Sequence, residues 1–261
     1  MVTRDSPWPS GTPCWVDLGV DDVTRANAFY SRLFGWDTQA GPPEAGGYTM
    51  CLMGGRPVAG IGPQQGPPGT PPSWTVYIAS DNADKTADKI TAAGGKVLVS
   101  PMDVLDVGRM VVAADPAGAT FGVWQAGQHT GLGLANEPGS VCWNENLSRD
   151  MDGNQAFYGG VFGYEYGDMS TPEFRYATLK IDGKEVGGIG ELASGSPPEV
   201  PAQWSTYFAV EDTDAAVATI TGAGGSVVRA AWDTPYGRMA VVGDDQGAVF
   251  SLMSTPTAVT G

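Results

Sequence analysis

The sequence predicts an α+β protein built from four βαβββ units in two tandem halves. Three observations carry that expectation. Residues 11–36 and 139–164 repeat one another at a shift of 128, pairing Cys14 with Cys142, Trp15 with Trp143 and Phe29-Tyr30 with Phe157-Tyr158. The repeat continues through Tyr48 and Tyr176, Gly60-Ile61-Gly62 and Gly188-Ile189-Gly190, Trp74 and Trp204, and Gly108-Arg109-Met110 and Gly237-Arg238-Met239. Inside each half a weaker symmetry at a shift of 60 aligns the strand-then-helix stretch after Trp15 with that after Thr75, and Asp22 with Asn82.

The elements follow in order. Residues 14–20 read as a strand, after which Asp21 or Asp22 caps a helix running to about Leu33, stopped by Gly35. Short strands at 36–40, 47–53 and 56–62 are separated by Gly and Pro. The proline-rich stretch 63–72 is a loop. Trp74–Ser80 is a strand, 83–93 a helix ended by Gly94-Gly95, and 96–100, 109–114 and 119–125 are strands. The second half repeats the pattern, with its proline loop at 194–202. The expected organisation is a first domain at 11–125, a linker at 126–138 and a second domain at 139–254.

Composition excludes several functions. Fourteen Lys and Arg against twenty-nine Asp and Glu leave a net charge of −15, which repels phosphate backbones and anionic lipid. No nucleic-acid or membrane partner is therefore expected. The first residues lack the apolar stretch of a secretory signal, so a cytoplasmic location is expected. Cys14, Cys51 and Cys142 are odd in number and widely spaced, and read as core residues rather than a disulfide frame or zinc ribbon. The single histidine, His129, lies in a Gly-rich linker and reads as a surface residue, which leaves no Ser-His-Asp triad to build. Gly188-Ile-Gly190 imitates a dinucleotide fingerprint, but Ser-Gly-Ser-Pro-Pro follows where a helix would have to start.

With the repeat in place, the chain resembles the vicinal oxygen chelate superfamily, which includes glyoxalase I, bleomycin-resistance proteins and extradiol dioxygenases. The resemblance rests on the helix signature Asp22…Phe29-Tyr30…Phe34-Gly35-Trp36, repeated as Asp150…Phe157-Tyr158…Phe162-Gly163-Tyr164. It is supported by the turn Asp115-Pro116-Ala117-Gly118 and its degenerate copy Asp244-Asp245-Gln246-Gly247. It spans about residues 11–254 and is nearest in flavour to two-copy actinobacterial glyoxalase-like proteins called putative hydroxylases. It implies that each half is a cupped mixed sheet with its helices outside. It also implies six metal-ligand places, at Trp15, Thr75 and Gly122, and at Trp143, Ser205 and Ser251. None of these six is a competent ligand, so no metal and no other cofactor is expected.

Strand alternation indicates what replaces the metal, because residues two apart share a face. If Trp15 points inward as the ligand it replaces would, Asp17 does too, and the same rule brings in Tyr77 and Trp124. The second cup is expected to contain Trp143, Glu145, Tyr207 and Met253. The candidate catalytic residues are Asp17, Glu145, Tyr77 and Tyr207, the carboxyls as acid or base and the tyrosines as donors to an oxyanion. Trp15, Trp124, Trp143 and Met253 are candidate substrate-binding residues. Arg109 and Arg238 are included as possible holders of an anionic group, with pairing to Asp103 or Asp106 and to Asp233 as the structural alternative.

Two functions remain in competition. One is a metal-independent enzyme acting on a small aromatic or polyketide-like molecule as a lyase, isomerase, cyclase or hydroxylase. The other is a protein that binds or sequesters such a molecule without chemistry. A third reading has the cups filled by side chains. The expected partner is a small hydrophobic or aromatic molecule, and the expected assembly a monomer or homodimer.

Overall fold

A computed structural model describes residues 2–66 and 69–254. Pro67 and Pro68 of the first proline loop lie outside the described residues. In the first half the elements are β1 (Val2–Thr3), β2 (Pro13–Val20), α1 (Val23–Phe34), β3 (Asp37–Ala40), β4 (Thr49–Met53), β5 (Arg56–Pro63), β6 (Ser73–Ala79), α2 (Ala83–Ala92), β7 (Lys96–Val104), β8 (Gly108–Ala114) and β9 (Thr120–Ala126). A short β10 (Leu134–Ala135) leads into the second half. There follow β11 (Val141–Ser148), α3 (Met151–Phe162), β12 (Glu165–Asp168), β13 (Tyr176–Ile181), β14 (Lys184–Glu191), β15 (Gln203–Ala209), α4 (Thr213–Gly222), β16 (Ser226–Thr234), β17 (Gly237–Gly243) and β18 (Val249–Ser254).

Each half forms one eight-stranded mixed sheet, in the order β3-β4-β5-β2-β6-β9-β8-β7 and its counterpart β12-β13-β14-β11-β15-β18-β17-β16. The expected α+β class and the doubled βαβββ arrangement are therefore present. The parallel pairs β2–β5 and β6–β9 are joined antiparallel through β2–β6, so two βαβββ units share one sheet. The segment before residue 11 also contributes, since β1 pairs with β10 of the linker.

Local chemistry sets the helix ends as the spacing predicts. Asp22 accepts from the Arg25 N–H and Asp150 from the Gly153 N–H, satisfying donors that the first turn cannot. Gly35 and Gly163 end those helices at φ of 71° and 77°, where a side chain is disfavoured.

The helix-bearing faces of the two sheets turn toward each other, and aromatic rings fill the space between. Phe34 of α1 packs on Phe208 of β15 (ring centroids 5.0 Å), as does Trp74 of β6 (5.1 Å). Phe121 of β9 packs on Tyr158 of α3 (5.6 Å). The helix signature and Trp74 and Trp204 are therefore core, as expected. Cys14 and Cys51 are buried and Cys142 partly so; burial pushes the Cys51 and Cys142 thiols up to about 12. Among the described residues none of the four α-helices lies on the opposite face of either sheet, the face expected to line the cup.

Candidate functional site

The alternation along β2 has a direct consequence. Leu18 and Trp74 face the helices, so their neighbours Asp17 and Thr75, which are cross-strand partners, face the cup. Trp15 stands opposite Tyr77, and Tyr77 opposite Gly122. The structure thus brings Trp15, Asp17, Tyr77 and Trp124 to one face. In the second half Trp143 stands opposite Tyr207, Glu145 opposite Ser205, and Met253 opposite Met239, which brings Trp143, Glu145, Tyr207 and Met253 together.

A carboxyl held by two tyrosines lies in each cup. Glu145 accepts from Tyr176 (2.8 Å) on one oxygen and from Tyr207 (2.7 Å) on the other, while the Trp143 indole N–H donates to the Tyr176 hydroxyl (2.8 Å). The Tyr77 and Tyr48 hydroxyls flank Asp17 and favour its ionised form, and the Trp15 indole N–H donates to the Tyr48 hydroxyl (3.0 Å). Burial outweighs these bonds and raises both carboxyls, Asp17 to about 7. Burial and the neighbouring carboxylate push Tyr77 and Tyr207 upward, so both stay hydroxyl donors at neutral pH.

Tyr48 and Tyr176 are members of the site that the sequence reading left without a role. Their signal was the repeat itself, in which each is followed by Gly-Ile-Gly. Those glycines make room for the rings: a side chain at Gly60 or Gly188 would overlap the hydroxyl of Tyr48 or Tyr176. Gly122 likewise lies under the ring of Tyr77.

Two sequence readings need correction. His129 is not a surface residue. Its ring packs edge-on against Trp15 (centroids 4.3 Å) and near Trp124 (5.5 Å), and burial lowers its pKa to about 4. The Trp124 indole donates to the His129 carbonyl (2.9 Å), and the His129 and Leu132 N–H groups bond to Val107 and Cys14 across the strand ends. The linker thus closes one end of the first cup, and Trp15 is only 3% exposed. Trp143, in the matching place, is half-buried.

Arg109 and Arg238 do not face the cups. Arg109 is bound to Asp84 at the start of α2 (2.8 Å) and to Asp103 (2.8 Å), and Arg238 to Asp214 on α4 (2.7 Å) and Asp233 (2.9 Å). Their strand neighbours Met110 and Met239 point to the cup side, so both guanidiniums lie on the helix side. The expected partners Asp103 and Asp233 are present; the helix carboxylates came from tertiary packing.

The six inherited ligand places fit no divalent ion. They present two indoles, three hydroxyls (one in the first half, two in the second) and a glycine covered by Tyr77, where such ions need several imidazole, thiolate or carboxylate donors. Among the described residues no group of three or more His, Cys, Asp or Glu converges. Nor is any helix there long and apolar enough to cross a membrane.

Comparison with known proteins agrees with this architecture. The family model "Glyoxalase/Bleomycin resistance protein/Dioxygenase superfamily" matches residues 14–123 and 147–252. The chain is 42% identical over 258 residues to "Putative glyoxylase CFP32" of Mycobacterium tuberculosis, covering 97% of this chain and 98% of that protein. It is 39% identical over 266 residues to "Anthracycline biosynthesis protein DnrV" of Streptomyces peucetius, covering 97% and 95%. Among solved structures, the Mn(II)-bound glyoxalase of Novosphingobium aromaticivorans superposes with a TM-score of 0.64 at 16% identity, over 94% of this chain and 83% of that one. The 2,2',3-trihydroxybiphenyl 1,2-dioxygenase of Sphingomonas wittichii gives 0.62 at 14% identity, over 94% and 91%. With its signature present in both halves and matched along most of its length, the chain belongs to the glyoxalase/bleomycin resistance protein/dioxygenase superfamily.

Proposed function

We propose that this protein is a metal-independent member of its superfamily that acts on a small aromatic or polyketide-like molecule by acid–base chemistry. The observation that carries the reading is a carboxyl flanked by two tyrosine hydroxyls, present on both sheets and raised in pKa by burial. At about 7, the Asp17 carboxyl both accepts and returns a proton at working pH. The ionised carboxyl of Asp17 or Glu145 takes a proton from an acidic carbon or hydroxyl of the ligand, and the electron pair moves onto a ligand oxygen. As the carboxyl takes up that proton it no longer needs the tyrosine bond, and Tyr77 or Tyr207 turns its single hydroxyl proton to the ligand oxygen as charge develops there. Each Glu145 oxygen accepts one tyrosine bond, which leaves further lone pairs for the substrate proton. The partly exposed Trp143 and Met253 supply the apolar surround in the second half, while Trp15 and Trp124, 3% and 6% exposed, form the packed floor of the first. The kinship with a protein named for anthracycline biosynthesis supports a flat polycyclic ligand.

A second reading is non-catalytic binding. It is favoured by Glu145 being only 7% exposed with both oxygens already bonded to tyrosines. Incubation with a panel of hydroxylated polycyclic aromatics, followed by mass-resolved chromatography, separates the two. The enzyme reading expects product from the native protein, a loss of about a hundredfold or more in Asp17→Asn or Glu145→Gln, and retained binding. Unchanged turnover in both variants removes the carboxyls from the mechanism, and tight binding without product establishes the second reading.

A further inference from the structure

The two cups differ at the end opposite His129, and the difference is polar against apolar. Along β2 the cup-facing positions are Trp15, Asp17 and Gly19. Gly19 leaves its place empty, and the side chain of Gln64 folds into it, with Oε1 where a Cβ on Gly19 would stand. Gln64 follows Gly60 and Gly62 at the same two-residue spacing, and its N–H is tied to the Val20 carbonyl (2.8 Å). Its Nε2 donates to the Gln65 carbonyl (3.5 Å), whereas Oε1 is buried with no hydrogen-bond partner. In the second half Leu147 replaces Gly19 and Leu192 replaces Gln64. Leu147 lies against Gly190 (3.2 Å to a Cβ placed there), and Leu192 is held to the Ser148 carbonyl (2.8 Å) as Gln64 is to Val20.

A buried acceptor without a donor is destabilising unless something supplies one. Asp17, Gly19 and Thr75 are only partly buried, as is Gln64 itself, so a turn of the Gln64 side chain off Gly19 presents Oε1 to the cup. Two residues of strand separate Gly19 from Asp17 by roughly 7 Å, about the width of a fused aromatic ring and its substituent.

We propose that Gln64 is the specificity-determining residue of the first cup: its Oε1 accepts a hydrogen bond from a hydroxyl on a flat ring that lies over Asp17, with Thr75 alongside. The first cup therefore selects hydroxylated rings, while the second, with leucines in these places, does not discriminate. This inference rests on the aromatic-ligand reading above.

The test uses 2,6-dihydroxyanthraquinone, whose hydroxyls are not tied to the quinone carbonyls, and hydroxyl-free anthraquinone as probes, with binding to the full chain read by tryptophan quenching. The native protein is expected to prefer the hydroxylated ring by about tenfold, the worth of one hydrogen bond. Gln64→Leu and the near-isosteric Gln64→Met should bring that ratio close to one while changing anthraquinone affinity by less than about twofold. Gln64→Glu, which keeps an acceptor, should retain the preference. An unchanged ratio in Gln64→Leu and Gln64→Met overturns the assignment, as does equal weakening of both probes. Absence of binding by either ring to the native protein overturns the ligand reading as well, so the two failures are distinguishable.

Discussion

Tyr30 of α1 donates a hydrogen bond to Asp244 of the other half (3.0 Å), and Tyr158 of α3 donates to Asp115 in the same way (2.9 Å). Each tyrosine in turn accepts from a core indole, Trp74 (3.1 Å) or Trp204 (2.7 Å). The latch is repeated six residues later, just past each helix, where the Trp36 indole donates to the Gly139 carbonyl (2.7 Å) and the Tyr164 hydroxyl to the Gly11 carbonyl (2.5 Å). Arg25 adds an ion pair to Asp245. The helix signature and the turn before the last strand thus form one device that joins the halves. This also explains why the degenerate turn keeps its first aspartate: Asp244 must both receive Tyr30 and hold the Gln246 and Ala248 N–H groups (2.8 and 2.9 Å).

Removal of one hydroxyl from this device should be costly. Tyr30→Phe leaves the Trp74 indole N–H and part of Asp244 buried without a partner, a loss of about 1–3 kcal/mol in urea unfolding. Tyr158→Phe should behave alike at Trp204 and Asp115. A loss indistinguishable from zero in both would show that these two hydroxyls do not hold the halves together.

Asp17 should make stability depend on pH with a definite sign. Unfolded, its carboxyl titrates near the usual value of about 3.9; folded, it titrates at about 7. Its contribution is fully present below about pH 4 and is lost as pH rises toward 7, at a slope of at most about 1.4 kcal/mol per pH unit. Asp17→Asn removes that titration. Its stability relative to the native protein should therefore rise between pH 4.5 and 7.5 in paired urea melts, and a difference that stays flat would contradict a raised carboxyl.

The glycines beneath the tyrosines invite a more local change. Gly60→Ala forces Tyr48 off the sheet and away from Asp17, and Gly188→Ala displaces Tyr176 and breaks its hydrogen bond to Glu145. We expect a destabilisation of about 1–3 kcal/mol and a further rise in the affected carboxyl's pKa, read by NMR titration. A pKa unmoved by either change would show that these tyrosines do not govern the carboxyls.

Metal removal should have little effect. Dialysis against EDTA, or addition of Zn2+ or Mn2+, is expected to shift the unfolding midpoint by less than about 2 °C, equivalent to less than about 1 kcal/mol. A large shift, or stoichiometric metal by elemental analysis, would contradict the proposal of metal-independent action.

The repeat, the element order, the helix caps and the faces of Asp17, Glu145, Tyr77 and Tyr207 were all determined by the sequence alone. These are consequences of short-range rules: capping, the glycine stop and the two-residue period of a strand operate between neighbours in the chain. Tertiary structure decided the rest. His129 moved from the surface to the first cup because the linker is stitched to Cys14 and Val107, contacts no local pattern encodes. Arg109 and Arg238 turned to the helices because Asp84 and Asp214 arrive there only once the sheets have closed. Tyr48, Tyr176 and Gln64 joined the cups by lying across glycines of neighbouring strands, and the two halves found each other through Tyr30, Tyr158, Asp244 and Asp115. Contacts between residues distant in the chain depend on register and packing, which the sequence specifies only through the whole folded structure.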